Sequence, residues 1–355
     1  MAIPTEPIGS IPRPLSLIGA ARAFHAGALS EQELLSHYDA AIQDTIEQFE
    51  TTGSPVITDG EQAKDNFATY PIRGLSNLSA DGVSIAFADG HIRHLPRLTA
   101  GPFRYGTPAD IHLVRAQKYA HVPVKQAVIS ASALSLLYPQ GGIAGYSREQ
   151  YLGALLDEQE GEIRRCLQRG AHTVQIDFTE GRLSIKLDPS RRLLRSFIDL
   201  NNLVLERFSA EQRKQIGIHT CPGADRVSTH SAGVAYAELL PALFDLQAGR
   251  FYLQMASEQD RPRVLKMIRD NIKPNQRAFI GVIDVLDSRV ETPEEVKERV
   301  LEAAEYIPLD QLGTTDDCGF APFSDDTSRS RDTAFAKIRA RVLGTQLAAK
   351  TLGVE

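Results

Sequence analysis

"IGIHTCPGAD", residues 216–225, carries the apolar run Ile216–Ile218 straight into His219, one spacer, Cys221, Pro222 and Gly223. A short β-branched run that stops at a turn reads as a strand and its C-terminal end. The same form recurs along the chain as SPVITDGE (54–61), VPVKQAVISAS (122–132), HTVQIDFTE (172–180), KQIGIHTC (214–221), GRFYLQMASE (249–258) and RAFIGVIDV (277–285). LDQLGTTDDCG (309–319) and EPIGSIPRP (6–14) bring the strand candidates to eight. Helical patterns lie between them, among them SREQYLGALLDEQEGEIRRCLQRG, SRRLLRSFIDLNNLVLERF and TPEEVKERVLEAAEYI. The last opens with Thr292 as N-cap, Pro293 at the first helical position and Glu295 at the third, a strong helix start. Strands separated by helices imply parallel pairing. Eight such units predict an α/β fold, a (β/α)8 TIM-type barrel. Residues 1–355 are expected to form one catalytic domain, with a β-hairpin inserted at about 81–105 around "ADG".

Composition narrows the function classes. The 355 residues are 42% hydrophobic and 24% charged, ordinary for a globular chain with a sizeable core. A net charge of −6 argues against a nucleic-acid partner, which favours a basic face. No apolar run approaches the ~20 residues of a membrane span, and MAIPTEPIGSIPRP lacks the basic and apolar regions of a signal peptide. Three cysteines, at 166, 221 and 318, make no disulfide framework and suit a reducing compartment, so a cytoplasmic enzyme is expected.

Barrel enzymes place their active sites at the C-terminal strand ends. Here those ends carry Asp59 and Glu61, Asp177 and Glu180, His219 and Cys221, Glu258, Asp284, and Asp317 with Cys318. Residues i and i+2 of a strand point to the same side, so His219 and Cys221 can face the mouth together. Zinc takes Cys sulfur, His nitrogen and Glu oxygen, usually four of them. His219, Cys221, Glu258 and Cys318 therefore form a candidate Zn2+ set, whose wide spacing suits a catalytic site. The residues alone leave a second reading open: a strand-end histidine bonded to a carbonyl, beside two inert thiols.

In order, the motifs IGSIPRP, DGE (59–61), QID (175–177), HxC (219–221), Glu258 after an apolar strand, GVID with RVETPEEVKERV (281–300) and IPLDQLGTTDDCGF (307–320) resemble the C-terminal catalytic domain of cobalamin-independent methionine synthase. The likeness covers most of the chain, including the final AFAKIRARVLGTQLAAK, and is closest to short single-barrel forms without an N-terminal folate-binding half. It implies zinc on His219, Cys221, Glu258 and Cys318. It implies homocysteine contacts from Ile8, Ser10, Glu61 and Asp177. The chemistry implied is methyl transfer to a thiol: a metal-bound thiol loses its proton at neutral pH and becomes the nucleophile.

The departures gather on the donor side. The chain has no tryptophan, and Leu137 falls where the family stacks its methylfolate. Leu286 stands in place of the family's proton-donating histidine, leaving Asp284 and Asp287 as candidate acids. Phe178 and Thr179 replace a Glu-Pro pair. Methylfolate or a corrinoid protein are therefore both candidate methyl donors. Alternatives are a thiol alkyltransferase of the epoxide/coenzyme M kind, a metal-free decarboxylase on the same barrel, or a non-catalytic zinc- or thiol-binding barrel. Elsewhere, His91 and His94 read as loop residues and Cys166 as an inert helix cysteine. His230 reads as a residue behind the metal ligands, with Ser228 or Ser231 as partner. FSDDTSRSRD (323–332) reads as a solvated loop or a lid.

Overall fold

The computed structural model describes residues 3–354. Its centre is a parallel sheet of six strands in chain order: β1 (Gln126–Ile129), β2 (Val174–Asp177), β3 (Ile216–Thr220), β4 (Arg250–Leu253), β5 (Arg277–Ile283) and β6 (Leu312–Asp316). Two further segments complete an eight-part ring. Thr5 bridges Thr314 of β6 in parallel, and Ile57 bridges Val124 beside β1. Between these two segments, the Ile11 amide donates to Gly60 O at 3.0 Å and Thr58 Oγ1 donates to Gly9 O at 2.8 Å. The expected α/β barrel is the observed fold. The first strand sits at the front of the 6–14 candidate, and the rest of that stretch is an irregular rim loop.

Helices cover the ring because each presents an apolar stripe to it. Arg148–Gln168 follows β1, Arg192–Leu205 follows β2, Pro293–Ala304 follows β5, and Arg331–Thr351 packs last. Thr292 and Glu295 form the expected capping box, as do Ser147 with Gln150 and Ser30 with Glu33. Each such N-cap contributes about 1 kcal/mol. The inserted hairpin pairs Ser84–Ala86 with Ile92–His94, and a shorter pair, Leu78–Ser79 with Arg97–Leu98, extends it outside the expected 81–105.

The pleat decides which side chains enter the barrel. Tyr252 on β4 points inward, donating to Glu6 Oε2 at 2.5 Å beneath Lys125 Nζ, which lies 3.4 Å from the ring centroid. Glu6, Lys125 and Tyr252 are buried, and Arg250 also bonds Glu6, so charge fills the N-terminal end of the barrel. Gly217 on β3 makes room, since a Cβ there would lie 2.5 Å from the Tyr252 ring. Tyr252 registers with His219, and His219 with Asp177, so these three inward side chains share one register level. Continuing two residues, Cys221 and Gln254 share the next layer, at the mouth.

Candidate metal centre and its cavity

Three ligand atoms converge at the mouth. One each from His219, Cys221 and Cys318 lie within 4.8 Å of one another, and all three residues are buried. The Cys221 and Cys318 sulfurs are 3.2 Å apart without a disulfide. Their hydrogen bond draws Cys221 well below the usual thiol range, helped by the His219 charge, and pushes Cys318 well above it. Among the described residues, neither ring nitrogen of buried His219 has a hydrogen-bond partner. An imidazole buried without partners costs free energy that a bound cation would offset. Two sulfurs and one nitrogen are also the donor set zinc prefers, and a catalytic zinc keeps three protein ligands and one open position. The residues present fit that ion.

The three residues line one wall of a cavity of about 930 Å³, its open mouth included. Ile8, Ser10, Glu61 and Asp177 line it as well. Glu61 is held in left-handed backbone at φ 56°, a conformation costly for a residue with a Cβ. Its amide donates to Asp59 Oδ1 at 2.9 Å and its carbonyl accepts from Arg13 at 2.6 Å, which together hold the turn. Its carboxylate is already paired to buried Lys64 at 2.9 Å. Asp177 accepts from Gln175 Nε2 at 2.7 Å; burial pushes it up to about 6, with His219 opposing and Glu61 adding. The opposite wall is apolar: Ile85, Phe87 and Leu95 come from the inserted hairpin, Ile129 and Leu136 from β1 and beyond, and Phe323 from the loop after Cys318.

Residues 147–342, just over half of the chain, match the family described as the cobalamin-independent synthase catalytic domain. The chain belongs to that family. It is an enzyme of the methyltransferase kind. A methionine synthase from Sulfurisphaera tokodaii is 23% identical over 361 residues, covering 99% of this chain and 94% of that protein. A 5-methyltetrahydropteroyltriglutamate–homocysteine methyltransferase from Aliivibrio fischeri is 20% identical, covering 89% of this chain and 39% of the larger relative. Among solved structures, a B12-independent methionine synthase from Shewanella sp. W3-18-1, in complex with selenomethionine, superposes with a TM-score of 0.77 at 19% identity, covering 100% of both chains.

For a cobalamin-independent synthase domain, four placements differ from the sequence expectation. Glu258 stays outside the His219–Cys221–Cys318 group: β4 ends at Leu253, and the Glu258 carboxylate lies 3.8 Å from Arg182. The strand-end residue at the level of Cys221 is Gln254, whose buried Oε1 has no partner among the described residues. Asp284 and Asp287 do not line the cavity; they close a turn by accepting the amides of Leu286 and Arg289 at 2.8 and 2.9 Å. His94 and Arg93, on the hairpin, line the cavity rather than a free loop. His230 does line it, with Nδ1 2.6 Å from Ser231 Oγ, while Ser228 Oγ takes the Asp89 amide instead. The 323–332 segment is neither free nor merely solvated. Asp325 pairs with Arg93 at 2.9 Å and Arg226 at 2.7 Å, tying that segment to the hairpin.

In the sequence, Glu180 falls at a strand end on the active-site rim but is given no role. It lines the cavity, is buried, and accepts from the Ser130 and Ser132 hydroxyls. The only sequence signal was its place just past a strand end.

Proposed function

We propose that the chain transfers a methyl group to the thiol of homocysteine, with zinc held by His219, Cys221 and Cys318. The observation that carries this reading is the partnerless His219 ring beside two sulfurs, on the wall of a cavity that also holds Asp177, Glu61 and Ser10. Zinc, when bound, supplies the acidity that turns the substrate thiol into a thiolate near neutral pH. The protein's own groups do the rest. Asp177 faces an ammonium group, because Lys64 already neutralises Glu61. Ser10 Oγ accepts the Ala321 amide at 3.2 Å, which fixes the rim loop where the substrate carboxylate would sit. The apolar wall excludes water from the carbon being attacked.

Family membership and the names of the relatives favour methyl transfer over epoxide opening or decarboxylation, and methylfolate over a corrinoid protein as donor. The test is zinc content by plasma mass spectrometry on wild type and Cys318→Ser, with methionine formation from homocysteine and 5-methyltetrahydrofolate. One zinc per chain, lost in the variant together with methionine formation, is expected. A metal-free wild type would refute the zinc site, and a zinc-loaded wild type that forms no methionine would refute the reaction.

A further inference from the structure

We propose that Glu180 is the proton donor to the leaving group of the methyl donor, an inference that rests on the methyltransferase reading. Glu180 opens the helix Glu180–Leu187 directly after β2 and is 5% exposed. Its Oε1 accepts from both the Ser130 and Ser132 hydroxyls. Those serines are themselves fixed: Ser130 Oγ caps the helix Ala131–Ser135 by accepting the Ala133 amide at 3.1 Å, and Asn201 Nδ2 donates to Ser132 Oγ at 2.7 Å. Every polar atom of this network has a partner except one. Oε2 of Glu180 is buried and has none among the described residues, and the side chain lines the cavity shared with His219, Cys221 and Cys318.

A carboxyl group with one oxygen fully bonded and the other free at a cavity wall is a held acid. The two serine hydroxyls and the helix N-terminus favour the anion, yet burial outweighs them and pushes Glu180 up to about 7, with the Asp177 charge adding to the rise. A proton donor matched to neutral pH is what such a step requires.

The chemistry balances as follows. The acceptor sulfur forms a bond to the methyl carbon while the carbon–nitrogen bond of an N-methyl donor breaks. The bonding pair goes to nitrogen, which takes the Glu180 proton and leaves as a neutral amine. The proton released from the acceptor thiol returns the carboxylate to its acid form through solvent. Of the other carboxyl groups on the cavity wall among the described residues, Glu61 is paired to Lys64 and Asp177 is the group proposed for the acceptor's ammonium; Asp284 and Asp287 do not line the cavity.

The experiment uses the zinc-loaded full chain and Glu180→Gln with homocysteine and two donors. One is 5-methyltetrahydrofolate, whose nitrogen must take a proton. The other is trimethylsulfonium, which leaves as a neutral thioether and needs none. Glu180→Gln is expected to slow the folate reaction about 10²- to 10⁴-fold. It should leave the sulfonium reaction within about threefold and zinc content unchanged. In parallel, the infrared spectrum at about pH 6 should show a protonated carboxylic acid band in wild type that Glu180→Gln removes. Ser132→Ala, which keeps the acid but removes one hydroxyl, should keep the band and lose less than about tenfold of the folate rate. Equal slowing with both donors, no slowing with either, absence of the band, or a wild type that uses only the sulfonium overturns the assignment. A wild type that uses neither donor refutes the methyltransferase reading instead, while the band still reports whether Glu180 holds a proton.

Discussion

Gly223 joins the turn after Cys221 to His230, and the coupling between them is measurable. Gly223 adopts φ 73°, and a Cβ there would meet His230 Nε2 at 1.7 Å and Cδ2 at 2.1 Å. Gly223→Ala therefore carries two separable costs. Left-handed backbone costs an L-residue about 1–2 kcal/mol. The methyl group also expels the His230 ring, which forfeits its bond to Ser231, about 1 kcal/mol, and its edge-on packing against Phe87 at 5.4 Å, about another 1. The sum is about 3–4 kcal/mol, of which about 2 kcal/mol depends on the imidazole being there. In a His230→Ala background only the backbone cost should remain. Urea unfolding of wild type, both single variants and the double variant closes the cycle, with an expected coupling of about 2 kcal/mol. Because the His230 amide donates back to Gly223 O at 3.2 Å, the same displacement should loosen the loop carrying Cys221 and lower zinc retention after dialysis. Additivity within about 0.5 kcal/mol would show that the ring yields freely and that the reasoning from contact distance fails.

Three further outcomes follow from the same geometry. Glu258→Gln should keep one zinc per chain while Cys318→Ser loses it, because Glu258 faces Arg182 rather than the sulfurs; zinc loss in Glu258→Gln would reinstate it as a ligand. Asp317 accepts the amides of Met255, Ala256 and Ser257 at 2.8, 2.8 and 2.9 Å, so Asp317→Ala should cost about 3 kcal/mol or more and reduce zinc binding by the adjacent Cys318, read by urea unfolding and metal content. Buried Glu162 is pushed from 4.5 up to about 7, chiefly by burial. The folded chain then holds a proton that the unfolded chain releases, so stability from this group is full below about pH 4.5 and lost as pH rises to about 7. Glu162→Gln keeps an acceptor for Tyr70 and the Ala109 amide, and should match wild type near pH 4.5 yet exceed it by about 3 kcal/mol at pH 8. Parallel stability curves for the two proteins would contradict this.

What could be read from the sequence was whatever local pattern encodes. The capping box at Thr292 and Glu295, the strand from Ile216 and the pairing of His219 with Cys221 are short-range features, and each is found where its pattern puts it. Glu258 shows the limit. GRFYLQMASE reads as one apolar stretch, but backbone pairing stops at Leu253, where Asp317, just past the end of β6 two strands away, accepts the next amides. Alternation from Tyr252, whose inward direction only the Glu6 and Lys125 contacts reveal, then gives Gln254 and not Glu258 the level of Cys221. Glu180 is placed on the rim by sequence but gets no role there for the same reason. Its carboxyl is defined by Ser130 and Ser132, about fifty positions earlier, and nothing within its own helix distinguishes it from a solvated first-turn acid. The apolar wall of the cavity is likewise assembled from a hairpin, a strand end and the loop after Cys318, held together by Asp225 and Asp325 on Arg93. The His219–Cys221–Cys318 group is therefore legible in a single sequence while the apolar wall opposite it is not. His219, Cys221 and Cys318 sit at strand ends that the fold itself specifies, and the apolar wall exists only once distant segments have met.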